Sequence, residues 1–438
     1  MTSQNMNTYK VTPITALKEN ACITAKVPGS KSITNRALLL AALANGTSTL
    51  NGVLFSDDSR HFLQCIQDLG FPVKINESNQ TVTVTGSDGS LPVTEGSIYV
   101  GSAGTAARFL TAMLGMSSGT FFLDASPQMR KRPMAALLSS LEEMGTKITY
   151  KEQKGCFPFF LTGHGITKYD VSVDINHSSQ FLSALMISSV LSPKDFTIHI
   201  QGTHGRAYIE MTSKMMKQFG VELQTTCDGY KINANQTYRA LDYQVEPDIS
   251  AACYFYALAF LLGISGIVQN VHFDSLQGDV EFLHVLEQGG ASLKDTPEGI
   301  QLLPPKDGFT FGEVNLNRCS DQTMTLAALA PFAKSTTTIT GIGHIRYQES
   351  NRIQAIVTEL SRMGISCQEL PDGIRIHPGT PLGCHIQTYE DHRMAMAFSL
   401  IGCRILDITI DNPLCCKKTF ENYFDVLEQV CRDIQNHS

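Results

Sequence analysis

SKSITNRALLLAAL, residues 30–43, is a short polar start followed by a long apolar run, which is the pattern of a helix with a serine cap. Five further stretches repeat this pattern at an interval near seventy residues. The polar starts are Ser30, Ser102, Ser178, Asp248, Asp321 and Asp391, separated by 72, 76, 70, 73 and 70 residues. So regular an interval predicts six copies of one structural unit.

A series of glycines runs in step with these starts. Amphipathic stretches end at Gly70, Gly145, Gly220, Gly290 and Gly364, with steps of 75, 75, 70 and 74 residues. A glycine in this place is typical of the residue that follows a helix. Alternating segments such as Val82-Thr83-Val84-Thr85 come next and have the period of a strand. Each unit is therefore predicted to alternate helices and strands, and the fold class is α/β.

Length and composition limit the function. Six units in 438 residues divide most simply into two domains of three. The net charge of -7 and the pI near 5.9 argue against a nucleic-acid partner or an anionic membrane surface. Twelve cysteines without zinc-like spacing are predicted to be reduced thiols, and neither a metal nor another cofactor is expected.

The first twenty residues are polar and mixed, without the apolar centre of a secretory signal, so a cytoplasmic location is expected. The longest apolar run extends from Ala251 to Ile264, which is shorter than the roughly eighteen residues that a bilayer requires. This run is predicted to be a buried helix.

Charged or glycine-rich residues share some helix starts with the polar cap. A cap alone explains any single start, and it explains Asp248 fully. Lys31 and Arg393 add cations at two starts, and Gly104 allows close approach of a ligand to the backbone at a third. Because a helix N-terminus already favours anions, these starts are compatible with binding of a small acidic or phosphorylated ligand.

Several motifs, in the right order, together resemble the enolpyruvyl transferase family in its shikimate branch. The similarity extends from about Val27 to Phe424. Its strongest parts are Pro28-Gly29-Ser30-Lys31-Ser32-Ile33-Thr34-Asn35-Arg36, Ser56-Asp57-Asp58-Ser59-Arg60, Ser178-Ser179-Gln180-Phe181, Asp391-His392-Arg393-Met394-Ala395-Met396 and Lys418-Thr419-Phe420.

The resemblance implies a two-domain inside-out α/β barrel. It would contain six repeats of a βαβαββ-like unit, three per domain, with the active site in the interdomain cleft. Residues 1–27 and 247–438 would form one discontinuous enolpyruvyl transferase domain, and residues 28–246 the inserted one. Pro247 suits the return crossing, because the residue before a proline is restricted to extended conformations.

The reaction that the resemblance implies is transfer of the carboxyvinyl group of phosphoenolpyruvate to the 5-hydroxyl of shikimate 3-phosphate, on the route to chorismate. The partners expected are these two small molecules, with no nucleic acid and no membrane, and the family is commonly monomeric. The residues carried over as catalytic are Asp321, which would accept the hydroxyl proton, Glu349, which would donate a proton to the vinyl carbon, and Lys31, which would assist.

The same carry-over gives two substrate-binding sets. The shikimate 3-phosphate set is Lys31, Ser32, Arg36, Ser178, Ser179, Gln180, Tyr208, Asp321 and Gln348. The phosphoenolpyruvate set is Lys31, Gly104, Gln128, Gln180, Arg352, Arg393 and Lys418.

Five positions depart from the better-known family pattern: Ser102 and His344 for Asn, Gln128 for Arg, Gly205 for Ser, and Gln348 for Lys. The two glutamines delete positive charge from an anion site. Four arginines near these positions are candidates to supply it, namely Arg130, Arg132, Arg206 and Arg346.

Other functions remain open from the sequence. Sister enzymes use UDP-N-acetylglucosamine as the acceptor and generally carry a reactive Cys, sometimes an Asp, in the loop that corresponds to Asp124 through Pro133, and this loop here holds no Cys. A secondary-metabolite acceptor, a catalytically silent anion-binding homologue and an RNA 3′-phosphate cyclase are the further alternatives. An enzyme is favoured over a binding protein because carboxylates and cations occur together, at Lys31, Asp321, Glu349, Arg352, Arg393 and Lys418.

Overall fold

The computed structural model describes residues 7–203 and 205–436, which divide into two compact units. One unit holds the residues up to Pro28 and those from Glu246 onward, and the other is Gly29–Val245. The sequence placed residues 1–27 and 247–438 in one domain and 28–246 in the other. Of these spans, residues 1–6, 204, 437 and 438 lie outside the described residues.

The strands, in chain order, are β1 (Thr8–Lys10), β2 (Cys22–Ala25), β3 (Asn45–Asn51), β4 (Val73–Asn76), β5 (Thr81–Ser87), β6 (Glu95–Tyr99), β7 (Ser118–Asp124), β8 (Lys147–Tyr150), β9 (Phe159–His164), β10 (Asp170–Asp174), β11 (Phe196–Gln201), β12 (Leu223–Thr225), β13 (Gly229–Ile232), β14 (Asp242–Gln244), β15 (Ser265–Val268), β16 (Ser292–Thr296), β17 (Gly299–Leu303), β18 (Glu313–Asn315), β19 (Thr337–Thr340), β20 (Cys367–Leu370), β21 (Gly373–Ile376), β22 (His385–Ile386) and β23 (Thr409–Asp411).

The α-helices are α1 (Lys31–Leu43), α2 (Asp57–Asp68), α3 (Gly104–Met116), α4 (Pro127–Arg130), α5 (Ala135–Glu143), α6 (Gln180–Ser188), α7 (Arg206–Gln218), α8 (Ile249–Leu262), α9 (Glu281–Gln288), α10 (Thr323–Leu329), α11 (Arg352–Arg362), α12 (His392–Gly402) and α13 (Tyr423–Ile434). Short 3₁₀ helices lie at Ser189–Leu191, Gly278–Val280, Ser320–Gln322, Ala330–Phe332, Gly343–Tyr347 and Pro413–Lys418.

One repeat of the fold is a helix-containing unit built on a small sheet. Strand β6 leads through α3 to its parallel neighbour β7, where Ile98 pairs with Leu123. The chain then passes through α5 into the hairpin of β8 and β9, and β9 returns antiparallel to β7. The strand order is therefore β6-β7-β9-β8. This is a βαβαββ unit.

Six sheets of the described chain follow this plan, three in each unit. Five have four strands, in the orders β14-β3-β5-β4, β6-β7-β9-β8, β10-β11-β13-β12, β2-β15-β17-β16 and β18-β19-β21-β20. The sixth has three strands, in the order β1-β23-β22. The six repeats predicted from the spacing of helix starts correspond to these six sheets.

Three sheets are completed by strands from distant parts of the chain. Strand β14 pairs in parallel with β3 near the start of its unit, and β2 pairs in parallel with β15 across the inserted residues. In the sixth sheet, β1 pairs antiparallel with β23 and takes the place of the repeat's final strand. These pairings tie the ends of each unit together.

The two helices of each repeat have different surroundings. The first helix is buried on nearly all sides: every residue of α3, α10 and α12 is buried, and so is every residue of α8 except Ser250 and Leu262. The second helix is amphipathic and ends at a glycine in five repeats. Those glycines have φ values between 79° and 105°, a region that residues with a side chain rarely adopt, so the prediction for these five positions is confirmed.

Three of the six predicted helix starts are confirmed as side-chain caps. Ser30 accepts a hydrogen bond from the N–H of Ile33 at 3.4 Å. Asp248 accepts from Ala251 at 3.0 Å, and Asp391 from Arg393 at 3.0 Å. Each cap satisfies a backbone donor that would otherwise lack a partner within the helix.

The other three predicted caps are wrong by one residue, because the helix caps there are Ala103, Ser179 and Gln322. Helix α3 begins at Gly104 because the Ser102 hydroxyl contacts Ser126 Oγ at 2.6 Å instead of the backbone. Helix α6 begins at Gln180, whose N–H donates to Ser178 Oγ at 3.3 Å. Helix α10 begins at Thr323 after a 3₁₀ turn, because the Asp321 carboxylate is used by arginine side chains.

None of the helices in the described chain combines the length and the apolar content that crossing a membrane requires.

We expect Tyr9→Ala to lower the free energy of unfolding by about 3 kcal/mol, because Tyr9 is buried against Phe424 with ring centroids 4.3 Å apart. Lys10→Ala is the matched control, since this residue forms an exposed ion pair with Asp407 and its loss should cost less than about 1 kcal/mol. Urea denaturation of both variants measures the difference. Equal stabilities would show that β1 does not complete the sixth sheet.

Candidate active site

The guanidinium of Arg352 is the centre of a buried ionic cluster in the discontinuous unit. Arg352 begins α11 and is only 2% exposed. Its Nε donates to Asp391 Oδ2 at 2.8 Å, and its Nη1 donates to Asp321 Oδ1 at 2.9 Å. Its Nη2 lies 3.6 Å from Glu349 Oε2. One arginine therefore contacts three carboxylates from three segments of the chain.

Asp321 lies between two arginines. Besides Arg352, its Oδ2 accepts a hydrogen bond from Arg393 Nη2 at 2.8 Å. Arg393 is the second residue of α12, and Asp321 occupies the 3₁₀ turn before α10. The predicted acid-base residue is thus held at the starts of two repeats, where helix N-termini favour negative charge.

Glu349 is surrounded by groups that carry or accept a proton. Lys418 Nζ lies 3.0 Å from its Oε1, and His392 Nδ1 lies 3.0 Å from its Oε2. Lys418 ends a 3₁₀ helix and is 8% exposed. Gln348, next in sequence, accepts a hydrogen bond from Arg352 Nη1.

Burial and charge act in opposite directions on this cluster. Burial lowers the pKa of Arg352, but Asp391, Asp321 and Glu349 outweigh it and hold that pKa above its ordinary value. Burial raises the pKa of Asp391, and the Arg352 charge more than offsets this, so the pKa of Asp391 is lowered. Both groups are therefore ionised at neutral pH.

Glu349, Asp391 and His392 are also the one group among the described residues with the geometry to hold a metal ion. Their ligand atoms lie within 4.8 Å of one another. Both carboxylates already contact cationic side chains, those of Arg352 and Lys418. An ion at this position would have to displace these cations, so the cluster suits organic anions better than a metal.

The inserted unit carries a second set of predicted residues at the start of α1. Lys31 Nζ lies 3.3 Å from Asp58 Oδ2, and Asp58 is 2% exposed. Asp58 belongs to α2, which begins with a capping box formed by Ser56 and Ser59. A buried carboxylate thus orients the lysine.

Arg36 is fully buried, and each of its hydrogen-bond partners among the described residues is neutral. Its Nε donates to Thr212 Oγ1 at 2.8 Å, and its Nη1 donates to the Ser32 carbonyl at 3.0 Å. Its Nη2 donates to Ser183 Oγ at 3.4 Å and to the Tyr208 carbonyl at 3.3 Å. Burial lowers the pKa of Arg36 to about 10, which leaves it charged at neutral pH.

The starts of α3 and α6 meet at Gly104 and Gln180. A Cβ at Gly104 would lie 3.3 Å from Gln180 Oε1, 2.9 Å from Arg108 Nη1 and 3.0 Å from Arg132 Nη1. Gln180 Oε1 is buried and accepts no hydrogen bond from any residue that the structure describes. Two guanidinium groups and an amide oxygen thus surround the same glycine.

The four arginines proposed to restore charge have different surroundings. Arg130 Nη2 contacts Asp124 at 2.9 Å and its Nη1 contacts Glu152 at 2.6 Å, while Arg346 pairs with Glu369. Arg206 is exposed. Only Arg132 lies against another predicted site residue, Gly104.

Two departures from the family pattern have local explanations. Gly205 has φ 69°, and a Cβ there would lie 2.3 Å from Ser179 Oγ, so a side chain would clash with Ser179, a member of the predicted shikimate 3-phosphate set. His344 Nε2 lies 2.9 Å from Ser320 Oγ, beside Asp321. The structure offers no comparable explanation for Gln128.

Sequence reasoning did not assign Asp58, Arg108, Asp391 or His392 to the site. Asp58, Asp391 and His392 lie within the motifs already quoted, but the sequence offered no reason to assign them a function. Arg108 carries no such signal, because it lies one turn inside an apolar helix and is 2% exposed.

Repeated α/β sheets with cations gathered at helix N-termini define a class of α/β protein that binds small anions. Residues 18–427 match the family model of EPSP synthase (3-phosphoshikimate 1-carboxyvinyltransferase). The chain therefore belongs to the EPSP synthase family.

Individual relatives cover nearly the whole chain. It is 40% identical over 413 residues to the 3-phosphoshikimate 1-carboxyvinyltransferase of Nostoc punctiforme, covering 94% of this chain and 97% of that protein. It is 38% identical over 430 residues to the protein of the same name from a Sulfurovum species, covering 97% and 99%. A solved EPSP synthase from Acinetobacter baumannii superposes with a TM-score of 0.76 at 25% identity, covering 95% of this chain and 97% of that one.

We expect Asp391→Asn to lower the free energy of unfolding by about 3 to 5 kcal/mol at pH 7, because it leaves part of the buried Arg352 charge uncompensated. The lowered pKa of Asp391 means that its contribution is present above the ordinary pKa near 4 and is lost as the pH falls below it. The difference from the native protein should therefore shrink in acid. Asp407→Asn, at an exposed ion pair, is the control. A constant difference between pH 7 and pH 3 would contradict this assignment.

Proposed function

We propose that this protein transfers the enolpyruvyl group of phosphoenolpyruvate to the 5-hydroxyl of shikimate 3-phosphate, releasing phosphate. The observation that carries the proposal is the cluster in which Asp321 and Glu349 are held by Arg352, Arg393 and Lys418. The family membership supports the same reaction. An anion-binding protein without chemistry has no need for two carboxylates among the cations.

Phosphoenolpyruvate is proposed to bind where these cations meet. Arg393 and Lys418 each contact a carboxylate at the site, and each is a cation of the kind that binds phosphate and carboxylate groups. Lys31, Gly104, Gln128 and Gln180 complete the proposed set in the inserted unit. Arg352 is more deeply engaged and mainly orients Asp321 and Asp391.

Shikimate 3-phosphate is proposed to bind near Arg36. A buried cation whose partners are neutral favours an anionic ligand, since such a ligand supplies the missing counter-charge. The other proposed contacts are Lys31, Ser32, Ser178, Ser179, Gln180, Tyr208, Asp321 and Gln348. The unused Oε1 of Gln180 suits a ligand hydroxyl.

The proposed chemistry has two steps. In the addition, the 5-hydroxyl oxygen bonds to C2 of phosphoenolpyruvate, its proton passes to a base, and C3 of the vinyl group gains a proton to become a methyl group. In the elimination, that methyl group loses a proton, the C–O bond to phosphate breaks, and the vinyl group re-forms. Cations around the phosphate stabilise the charge of the leaving group.

Asp321 and Glu349 have the surroundings that these roles require. Asp321 accepts hydrogen bonds from Arg352 and Arg393, which fix the orientation of the carboxylate proposed to accept the hydroxyl proton. Glu349 lies 3.0 Å from both Lys418 and His392, so a proton that it gives to C3 has groups nearby to replace it. Lys31, oriented by Asp58, is proposed to assist.

Arg132 is proposed to supply the charge that Gln128 lacks. Its Nη1 lies near Gly104, while Arg130 and Arg346 are held by carboxylates. Arg108 reaches the same glycine and donates to its carbonyl at 3.2 Å. Arg108 and Arg132 therefore supply positive charge at the start of α3, although position 128 is occupied by a neutral glutamine.

Further features that the resemblance implies belong to the same proposal. These are an inside-out barrel in each domain, domains bounded at 1–27, 28–246 and 247–438, an active site in the interdomain cleft, and a monomer acting in the cytoplasm. The strand orders of the six sheets support the repeat on which that architecture depends.

The test is phosphate release from phosphoenolpyruvate by the purified protein, measured with shikimate 3-phosphate, with UDP-N-acetylglucosamine and with neither. Release only with shikimate 3-phosphate is expected. Release with UDP-N-acetylglucosamine alone would assign the sister reaction. No release with any acceptor, from a folded protein that still binds phosphoenolpyruvate, would identify a silent homologue.

We expect Asp321→Asn and Glu349→Gln each to lower kcat by a factor of roughly 100 to 10,000, because each removes a proton-transfer group. Glu313→Gln, at an exposed carboxylate in β18, should leave kcat unchanged and is the control. Steady-state phosphate release measures all three. Retention of full kcat by either site variant would remove that carboxylate from the mechanism.

We expect Arg132→Gln to raise the KM for phosphoenolpyruvate about tenfold or more, since it removes a charge-assisted contact. Arg130→Gln is matched in chemistry and lies two residues away, but its charge is neutralised by Asp124, so its KM should stay near that of the native protein. Larger effects at Arg130 than at Arg132 would reverse the proposal.

A further inference from the structure

Asp279 is a buried carboxylate to which the proposed mechanism gives no role. It lies in the 3₁₀ helix Gly278–Val280 and is 5% exposed. Its Oδ2 accepts hydrogen bonds from Ser250 Oγ and, at 3.3 Å, from Gln322 Nε2. The Cys253 thiol contacts its carbonyl at 3.6 Å. An isolated buried acid is costly, so its placement requires a reason.

The partners of Asp279 lead directly to the anion site. Ser250 Oγ accepts from Arg393 Nη2 at 3.5 Å, and the same Nη2 donates to Asp321 Oδ2 at 2.8 Å. Gln322 follows Asp321 in the same 3₁₀ turn, and its amide also donates to the Ser250 carbonyl at 3.4 Å. The Ser250 hydroxyl therefore connects Asp279 to Arg393, and Gln322 connects Asp279 to the turn that contains Asp321.

The segment that carries Asp279 is itself anchored to the start of α8. Gln277 Oε1 accepts a hydrogen bond from the N–H of Ile249 at 3.0 Å, and its Nε2 donates to the Pro247 carbonyl at 2.8 Å. The backbone of Asp279 is thus fixed relative to Ser250. Its carboxylate links the first turn of α8 to the turn before α10.

We propose that Asp279 is a positioning residue for Arg393, acting through Ser250 and Gln322 to hold the guanidinium in the orientation that binds phosphoenolpyruvate. This rests on the proposed function. An ionised carboxylate only accepts hydrogen bonds, so the Ser250 proton must point to Asp279 and the lone pairs of its oxygen are left for Arg393. A neutral group at 279 with an N–H or O–H would allow the Ser250 hydroxyl to turn away.

The surroundings of Asp279 make this arrangement sensitive to pH. Burial and the charge of Asp321 raise the pKa of Asp279 to about 6, against the opposite effects of Arg393 and the Ser250 hydrogen bond. The other groups facing it are Asp248 and the thiols of Cys253 and Cys319. Below pH 6 the carboxyl is protonated and its constraint on Ser250 is lost.

The test compares Asp279→Asn with the native protein by KM and kcat across pH. Because the phosphate of phosphoenolpyruvate also titrates near pH 6, the quantity to plot is the ratio of the two KM values at each pH. The ratio for phosphoenolpyruvate should be on the order of ten at pH 8, as expected for loss of a hydrogen bond to a charged group, and should approach one at pH 5. The KM for shikimate 3-phosphate should not change.

Three further variants separate positioning from a structural effect. Ser250→Ala should raise the KM for phosphoenolpyruvate as much as Asp279→Asn, with no further increase in the double variant. Ser250→Thr keeps the hydroxyl, so its KM for phosphoenolpyruvate should be close to that of the native protein. Asp274→Asn removes an exposed charge five residues away and should behave as the native protein.

Stability supplies an independent readout. Because the folded-state pKa of Asp279 is raised, its ionisation costs folding free energy that grows from about pH 4 and is complete above about pH 6, so Asp279→Asn should be at least as stable as the native protein at pH 8. A purely structural role predicts the reverse. If Asp279→Asn does not fold, Ser250→Ala decides the proposal alone.

The proposed role of Asp279 would be overturned if the KM for phosphoenolpyruvate were unchanged in both Asp279→Asn and Ser250→Ala, or if their effects were additive in the double variant. The proposed enzymatic function would stand in either case. Failure of the native protein to release phosphate with shikimate 3-phosphate would overturn the proposed function, and the role of Asp279 with it. The native protein in the same assay therefore separates the two failures.

Discussion

The ion pairs of the buried Arg352 guanidinium are the interaction on which the arrangement of the candidate site in the discontinuous unit depends. This guanidinium joins Asp321, Glu349 and Asp391, and each of these belongs to a different turn at a helix start. Replacing such a network with apolar side chains often leaves a protein as stable or more stable, whereas removing one member leaves a buried charge without a partner. The network is therefore explained by the geometry it enforces on two carboxylates, rather than by stability alone.

Function and scaffold are separated along each repeat. Beyond its first turn, the first helix of every repeat is largely buried and mainly apolar, apart from the charged Arg36 in α1 and Arg108 in α3, and this part fixes the position of the helix in the core. The first turn has free N–H groups and faces few packing demands, so it tolerates Lys31 in one repeat and Arg393 in another. Repetition of one unit thus supplies several anion-binding helix ends, and the differences among those ends supply the chemistry.

The parts of the fold that were predictable are those set by local constraints. Gly70 and Gly364 follow helices at positions where the backbone has positive φ. Glycine is the residue that adopts this conformation most readily, so these positions can be recognised in the sequence. The turn at Asp321 was predicted as a simple helix start because its partners, Arg352 and Arg393, are 31 and 72 residues away in sequence. The pairing of β1 with β23 joins residues about four hundred positions apart and likewise has no local signal. Site residues followed the same division, since Lys31 was found from its motif while Arg108 and Asp279 required the tertiary structure.

The two units prepare cations for an anion in different ways, and the difference bears on the chemistry. Arg36 is held by neutral groups, so a bound anion adds a counter-charge and displaces none. Arg393 and Lys418 already contact Asp321 and Glu349, so an anion must share those cations with the carboxylates. An anion at Arg393 and Lys418 therefore competes with carboxylates for charge-assisted contacts that already exist, whereas an anion at Arg36 meets no competing carboxylate among the hydrogen-bond partners of that arginine.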